Sequence, residues 1–317
     1  MIDFGVIVCC SSHDYLLAGG LIESIKISNP DVPICVMFDK DIPIDWFIAI
    51  DRSIIFIDVR LLEGSILLNY AQGWGLTKLF SFSHSPFEHF LIFDADIIIS
   101  GKIPLESFKQ FDFFCDLSDY SYTKDEIKRY FFDLEKLKSV ESIDFNWDYY
   151  YDRLFVSGWW YSKKFIFQDA ELLHYIKLQN SDKLIFFPGE MGFLNYLANK
   201  KEYLKELNIG RANYQKIILD YSKNEQVNLF LDAIYKAQFR IFHYAGISKP
   251  LQLNNDIYFI QPFIYFILKF CNRTNENFDV NDYFKLSSQS NTFYINKAKK
   301  NSRFNFMFKL FRKLFRK

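Results

Sequence analysis

The sequence lacks the residues that staple a small protein. Its five cysteines, Cys9, Cys10, Cys35, Cys115 and Cys271, are odd in number and form no Cys-x-x-Cys pair. That argues against a disulfide framework and against a zinc site. Most lie in apolar runs, which points to a reducing compartment. Glycine and proline are also sparse, at 12 and 8 of 317 residues, and no linker rich in either appears. With no internal repeat either, one continuous domain fits better than two. Net charge is absent, since 38 Lys+Arg balance 38 Asp+Glu, which excludes a wholly basic nucleic-acid binder. No apolar run is long. The strongest, residues 257–270, is interrupted by Gln261, Pro262 and Lys269 and is too short to span a bilayer. The N-terminal Met1-Ile2-Asp3-Phe4 shows no leader pattern, so a cytoplasmic protein is expected.

What is present is globular: half the residues are hydrophobic, 24% are charged and 20% are aromatic, with 37 Phe and 20 Tyr. Apolar runs at 4–10, 32–37, 53–59 and 90–93 read as strands. Helical spacing marks 15–25 and 77–82. Strands alternating with helices imply a parallel α/β sheet. In such sheets ligands bind beyond the carboxyl ends of strands where the strand order reverses. That directs attention to the residues after Cys10 and after Phe93. Residues 117–152 are rich in Tyr and charge and read as an insertion with helical pieces, a lid or acceptor surface. Order resumes with an apolar run at 154–161, helices at 169–178 and 191–198, and a late strand at 239–244.

Two carboxylates, Asp94 and Asp96, follow the apolar run Leu91-Ile92-Phe93 with only Ala95 between them. On a continuous strand they would share one face. Carboxylates beside buried strand are costly unless compensated, and a divalent cation with oxygen ligands compensates them. Strand-end caps or salt bridges would also serve. The small Ala95 would admit a ligand close to the backbone. A second constellation, His243-x-x-Gly246-x-x-Lys249-Pro250, combines a metal-ligating imidazole, a permissive glycine and a mobile cation suited to phosphate. Taken alone, His243 reads as a buried strand-end histidine before a Gly-Pro loop; only together with the acidic pair does the metal reading prevail.

In their order along the chain, these motifs resemble family 8 glycosyltransferases, which include glycogenin and bacterial lipooligosaccharide galactosyltransferases. The resemblance spans roughly residues 4–250. It implies a GT-A-type, Rossmann-like α/β domain over 1–250 with a mixed, mainly parallel central sheet. A helical extension at 251–296 and a tail at 297–317 would follow. By matched position it implies Asp94, Asp96 and His243 as ligands of Mn²⁺ or Mg²⁺, with Gly246 and Lys249 at the diphosphate of a UDP-sugar. Asp94 and Ala95 would also line the nucleotide. Lys78 matches a basic residue near the phosphates or donor sugar, and would otherwise be an ordinary surface lysine. Cys10, Ser12, Asp14 and Tyr15 fall in the nucleotide-base loop. There Tyr15 would stack on uracil, although a tyrosine opening a helix is as readily packing. Stacking of a base on an aromatic face is sound chemistry in itself.

The chain also departs from the family pattern. Glu190 stands where the family has Asp, Met191 where it has Gln, and Val156 where it has Asn. Phosphate and metal machinery is retained, while polar contacts to the donor sugar are lost. Retention of anomeric configuration is implied by the resemblance, through double displacement or same-face attack. Glu190 is the carboxylate expected near the sugar, as nucleophile or stabiliser, and Asp116 a second, at a donor or acceptor hydroxyl. Helix capping is the structural alternative for Glu190.

Residues 297–317 carry nine basic groups and no acid, with Phe304, Met307, Phe308, Phe311, Leu314 and Phe315 at helical spacing. A basic amphipathic helix of this kind lies on an anionic membrane surface, unless it docks on its own domain. Phe and Leu on the opposite face disfavour nucleic acid. Without the tail, residues 1–296 hold 29 basic and 38 acidic groups, a formal charge of −9. The reading is therefore a membrane-peripheral sugar transferase acting on a glycan or lipid-linked glycan. A catalytically silent relative that binds nucleotide or lipid is the first alternative. A nucleotidyltransferase ranks below both, because residues 10–15 offer no glycine-rich, basic phosphate loop.

Overall fold

The computed structural model describes residues 2–73, 75–117, 122–141, 152–181, 185–218, 232–233, 236–244, 266–267, 269–271 and 273. The basic tail, and Gly246 and Lys249, lie outside them. β1 (Ile2–Cys10) enters exposed and is buried from Gly5 onward. An unbroken apolar run of this kind suits an interior parallel strand covered on both faces. It leads to α1 (Tyr15–Ser28), β2 (Ile34–Phe38), α2 (Ile44–Ile48) and β3 (Ile55–Asp58). A 3₁₀ segment (Leu76–Phe80) continues into the short α3 (Ser81–His84), followed by β4 (Phe87–Asp94), β5 (Ile97–Ser100), α4 (Leu105–Phe108) and β6 (Phe113–Asp116). The Tyr-rich insertion contains α5 (Lys124–Tyr130), opened by a Thr123–Glu126 capping box, and α6 (Leu134–Val140). Then come β7 (Trp159–Lys163), α7 (Asp169–Ser181), α8 (Met191–Tyr203), β8 (Ile209–Ala212), β9 (Gln215–Ile217) and β10 (Arg240–His243).

Seven strands form a mixed sheet in the order β3-β2-β1-β4-β7-β6-β8. Only β7 runs against its neighbours. The chain leaves β1 toward β2 and β3, then returns to place β4 on the other side of β1. That reversal puts the switch point between the carboxyl ends of β1 and β4, where Cys9 pairs with Asp94. A smaller sheet, β5-β10-β9, lies beyond it.

One expectation about the acidic pair needs correction. Asp94 and Asp96 do not share a strand. Asp94 ends β4, Ala95 and Asp96 form a turn, and Ile97 opens β5 in the second sheet. The apolar run on either side is uninterrupted, so the change of sheet leaves no compositional trace. Residues 77–82 likewise are not one helix but a 3₁₀ segment and a single helical turn. Gly73 (φ 72°) and Gly75 (φ 79°), which lead into that segment, have a left-handed backbone that fits glycine without strain.

The aromatic abundance goes into the core. Phe108 meets Phe114, Trp159, Tyr161, Tyr214 and Phe239 at ring-centre distances of 4.8–6.2 Å. Phe82 stacks on Trp160 at 6.0 Å. Such pairs add about 0.5–1.5 kcal/mol beyond their area burial.

The described part of the 257–270 run is core packing. Phe266, Ile267 and Phe270 are buried against the first sheet's outer helix. A Cβ at Gly19 would overlap the Phe270 ring, and one at Gly20 would press on Ile267. Phe270 continues to Trp46 (6.1 Å) and Phe47 (5.3 Å). Glu23, fully buried on α1, pairs with Lys269 at 2.8 Å and with Arg273. This segment is therefore a strap across α1.

Candidate functional site

Three donors converge at the switch point. Oxygens of Asp94 and Asp96 and a ring nitrogen of His243 lie within 4.8 Å of one another. The backbone brings them together. His243 pairs with Ile97 across the β10–β5 ladder, and the Tyr244 amide donates to the Asp96 carbonyl at 2.9 Å. The Asp94 amide donates to the Gly158 carbonyl at 2.8 Å. His243 Nε2 then faces Asp96 Oδ1 at 3.3 Å. Its Nδ1 lies 3.1 Å from Gln215 Oε1, which leaves Nε2 on the side of the two aspartates. Two carboxylates and one imidazole form a donor set that fits Mn²⁺, and Mg²⁺ less selectively.

Lys78 is the largest departure from expectation. It is 1% exposed, not a surface residue and not open to a phosphate. Its ammonium lies 2.8 Å from Asp94 Oδ1 and 2.7 Å from Glu190 Oε1, donates to the Ser157 carbonyl at 2.6 Å, and sits 5.0 Å over the Trp160 ring. Burial alone would lower its pKa, but Asp94 and Glu190 outweigh it and hold the group protonated. Burial pushes the Asp94 carboxyl up, Lys78 opposes this, and Asp96 and Glu190 add to the rise. Asp94 nevertheless keeps 33% of its side chain open toward the crevice.

Glu190 precedes α8 but makes no capping bond with its side chain. Its Oε1 also accepts from Ser157 Oγ at 2.7 Å, and its carboxylate presses on Gly75, where any Cβ would overlap it. Asp116 is buried at the end of β6, and its Oδ1 accepts from the Tyr214 and Gln215 amides, both at 2.9 Å. That oxygen anchors backbone and does not await a sugar hydroxyl.

The loop after β1 is compact. The Ser11 amide donates to Asp14 Oδ1, so the Asp14 side chain folds back on its own loop and does not cap α1. Ser12 and Tyr15 are half-buried, and the Tyr15 ring meets Trp46 edge-on at 5.8 Å. Cys10 is buried, and burial pushes its thiol well up, so it contributes backbone to the loop. Ala95 is buried in the turn between the aspartates. Asp39, at the end of β2, was not foreseen. Its Oδ2 accepts from the Gly73 amide at 2.6 Å and from Thr77 Oγ1 at 2.8 Å, which fixes the segment that carries Lys78. Gln215 was also not foreseen.

A mixed seven-stranded sheet, with an acidic turn at its switch point feeding a second small sheet, defines a GT-A-type, Rossmann-like fold, the fold of glycosyltransferases. Two solved structures share it. One is the galactosyltransferase LgtC in complex with donor and acceptor sugar analogs: TM-score 0.52, 11% identity, 84% of this chain and 95% of that chain covered. The other is an active-site mutant of LgtC: TM-score 0.53, 12% identity, with the same coverage. No family model and no curated protein sequence matches the chain.

Proposed function

We propose that the protein is a metal-dependent, retaining glycosyltransferase. It would move a sugar from a UDP-sugar to a glycan or lipid-linked glycan acceptor at a membrane surface. The observation that carries this reading is the meeting of Asp94, Asp96 and His243 at the switch point of a GT-A-type fold. A divalent cation held there would supply Lewis-acid neutralisation of a diphosphate leaving group.

The chain's own residues divide the remaining work. Tyr15 offers a ring face to the base, and residues 10–14 supply a tight backbone turn beneath it. Lys78 bridges Asp94 and Glu190 through one buried ammonium. Glu190, with Oε1 already bound by Lys78 and Ser157, is better suited to stabilise an oxocarbenium-like sugar than to attack it. Asp116 positions the Tyr214–Gln215 backbone. Gly246 and Lys249 would complete the diphosphate site. Residues 304–317 would rest on an anionic leaflet. Among the described residues no helix is long and apolar enough to cross a membrane.

Calorimetry with UDP and Mn²⁺ tests the proposal. Metal-dependent binding, abolished in Asp96→Ala, is expected. Binding without metal, or undiminished in Asp96→Ala, refutes it. A screen of UDP-sugars for donor hydrolysis then separates an active transferase from a silent nucleotide binder.

A further inference from the structure

We infer that Gln215 is the positioning residue that fixes the tautomer of His243, so that Nε2 is presented as a cation ligand. This rests on the metal reading above and deepens it.

Gln215 opens β9, which pairs in parallel with β10, Gln215 standing opposite Ile241 and Ile217 opposite His243. Residues two apart on a strand share a face, so Gln215 and His243 are diagonal neighbours on one face of the small sheet. Both are buried. The 3.1 Å contact joins Gln215 Oε1 to His243 Nδ1. An amide oxygen only accepts, so Nδ1 must carry the proton. In the neutral ring the lone pair is then on Nε2, the atom 3.3 Å from Asp96 Oδ1. A neutral imidazole binds a cation through its unprotonated nitrogen, and the hydrogen bond at the other nitrogen selects which one that is.

Two further features hold the pair. Asp116 Oδ1 receives the amides of Tyr214 and Gln215, so the Gln215 backbone is anchored to the end of β6. Gly158 leaves the room that the pair occupies. A Cβ there would overlap His243 Cε1 and Nδ1 and come within 3.2 Å of Gln215 Oε1. Asp116, Gln215 and His243 thus form a relay of orientation that ends at Nε2.

The test uses the full chain and two readouts. In metal-free protein, nitrogen-15 spectra of His243, assigned by comparison with His243→Asn, should show the Nδ1–H tautomer. Gln215→Leu should lose it, and Gln215→Glu, which keeps an acceptor, should retain it. Mn²⁺ affinity by calorimetry should fall about 10–100-fold in Gln215→Leu and recover in Gln215→Glu. Matching circular dichroism of the two variants would show that the difference is not misfolding. An Nε2–H tautomer in the unaltered protein, or Mn²⁺ affinity in Gln215→Leu equal to the original, would overturn the inference. Failure of the metal reading has a different signature: the expected tautomer, with no Mn²⁺ heat in either the original protein or Asp96→Ala.

Discussion

Lys78 Nζ lies 2.7 Å from Glu190 Oε1 in a space closed to solvent, although the two residues are more than a hundred positions apart. Asp94 lies on the other side of the same ammonium. One ammonium thus serves two carboxyl groups at the switch point.

Removing that cation should be severe. Lys78→Met would leave Asp94 and Glu190 buried beside each other without compensation, at a cost of about 3–5 kcal/mol. Combining Lys78→Met with Glu190→Gln should recover part of the loss, because the two sites share one interaction. Urea denaturation of the two single variants and the double variant measures the coupling. Additive losses would show that the buried pair is not energetically linked.

The strap over α1 should be a stability element. Phe270 fills the notch at Gly19 between Trp46 and Phe47. Phe270→Ala should cost about 3–5 kcal/mol through the cavity it leaves. Gly19→Ala should also destabilise, by forcing the ring out. Thermal melts would check both. An unchanged melt for Phe270→Ala would mean the strap is dispensable.

Acid should weaken the Lys26–Asp51 pair. The Lys26 ammonium bonded to Asp51 outweighs its partial burial, with Ser53 assisting, and lowers the carboxyl to about 2. A depressed carboxyl contributes stability above its ordinary range, and that contribution is lost as pH falls from about 4 toward 2. With the side chain 26% exposed, the contribution should be about 1 kcal/mol. Asp51→Asn should therefore lower the urea midpoint at pH 7, and the gap should narrow below pH 4 and close as pH approaches 2. A gap independent of pH would contradict the assignment.

The basic tail gives a separable prediction. Removing residues 297–317 should abolish sedimentation with vesicles rich in phosphatidylserine, at about 1 kcal/mol per basic residue near the surface. UDP–Mn²⁺ binding should be unaffected. Binding to neutral phosphatidylcholine vesicles, or binding insensitive to salt, would contradict an electrostatic role.

The sequence carried local chemistry well and distant pairing poorly. β1 and β4 were evident because interior parallel strands are continuously apolar, and Asp94, Asp96 and His243 were evident because their residue types suit one ion. The turn between the aspartates was hidden because Ile97–Ser100 continues the apolar character of β4 into another sheet. The burial of Lys78 is not legible in the sequence because its partners, Asp94 and Glu190, come from other elements. Gln215 was missed because β9 has three residues and includes a lysine, too short and too polar to register as strand. Residues 257–270 are too short and interrupted to span a bilayer, but their own pattern does not say what they pack against. What decides is the pair Gly19-Gly20, whose missing side chains make the seat for Phe270 and Ile267.

The change of sheet between Asp94 and Asp96 has a consequence for ion choice. The first donor terminates the large sheet, and the second belongs to the turn that opens the small one, which also carries His243. The bite of the three donors is therefore set by the seam between two sheets and not by side-chain rotamers alone. A slight slide along that seam would open or close the donors like calipers. Substitutions in the seam, far from any ligand, would then shift the preference between a small cation and a larger one.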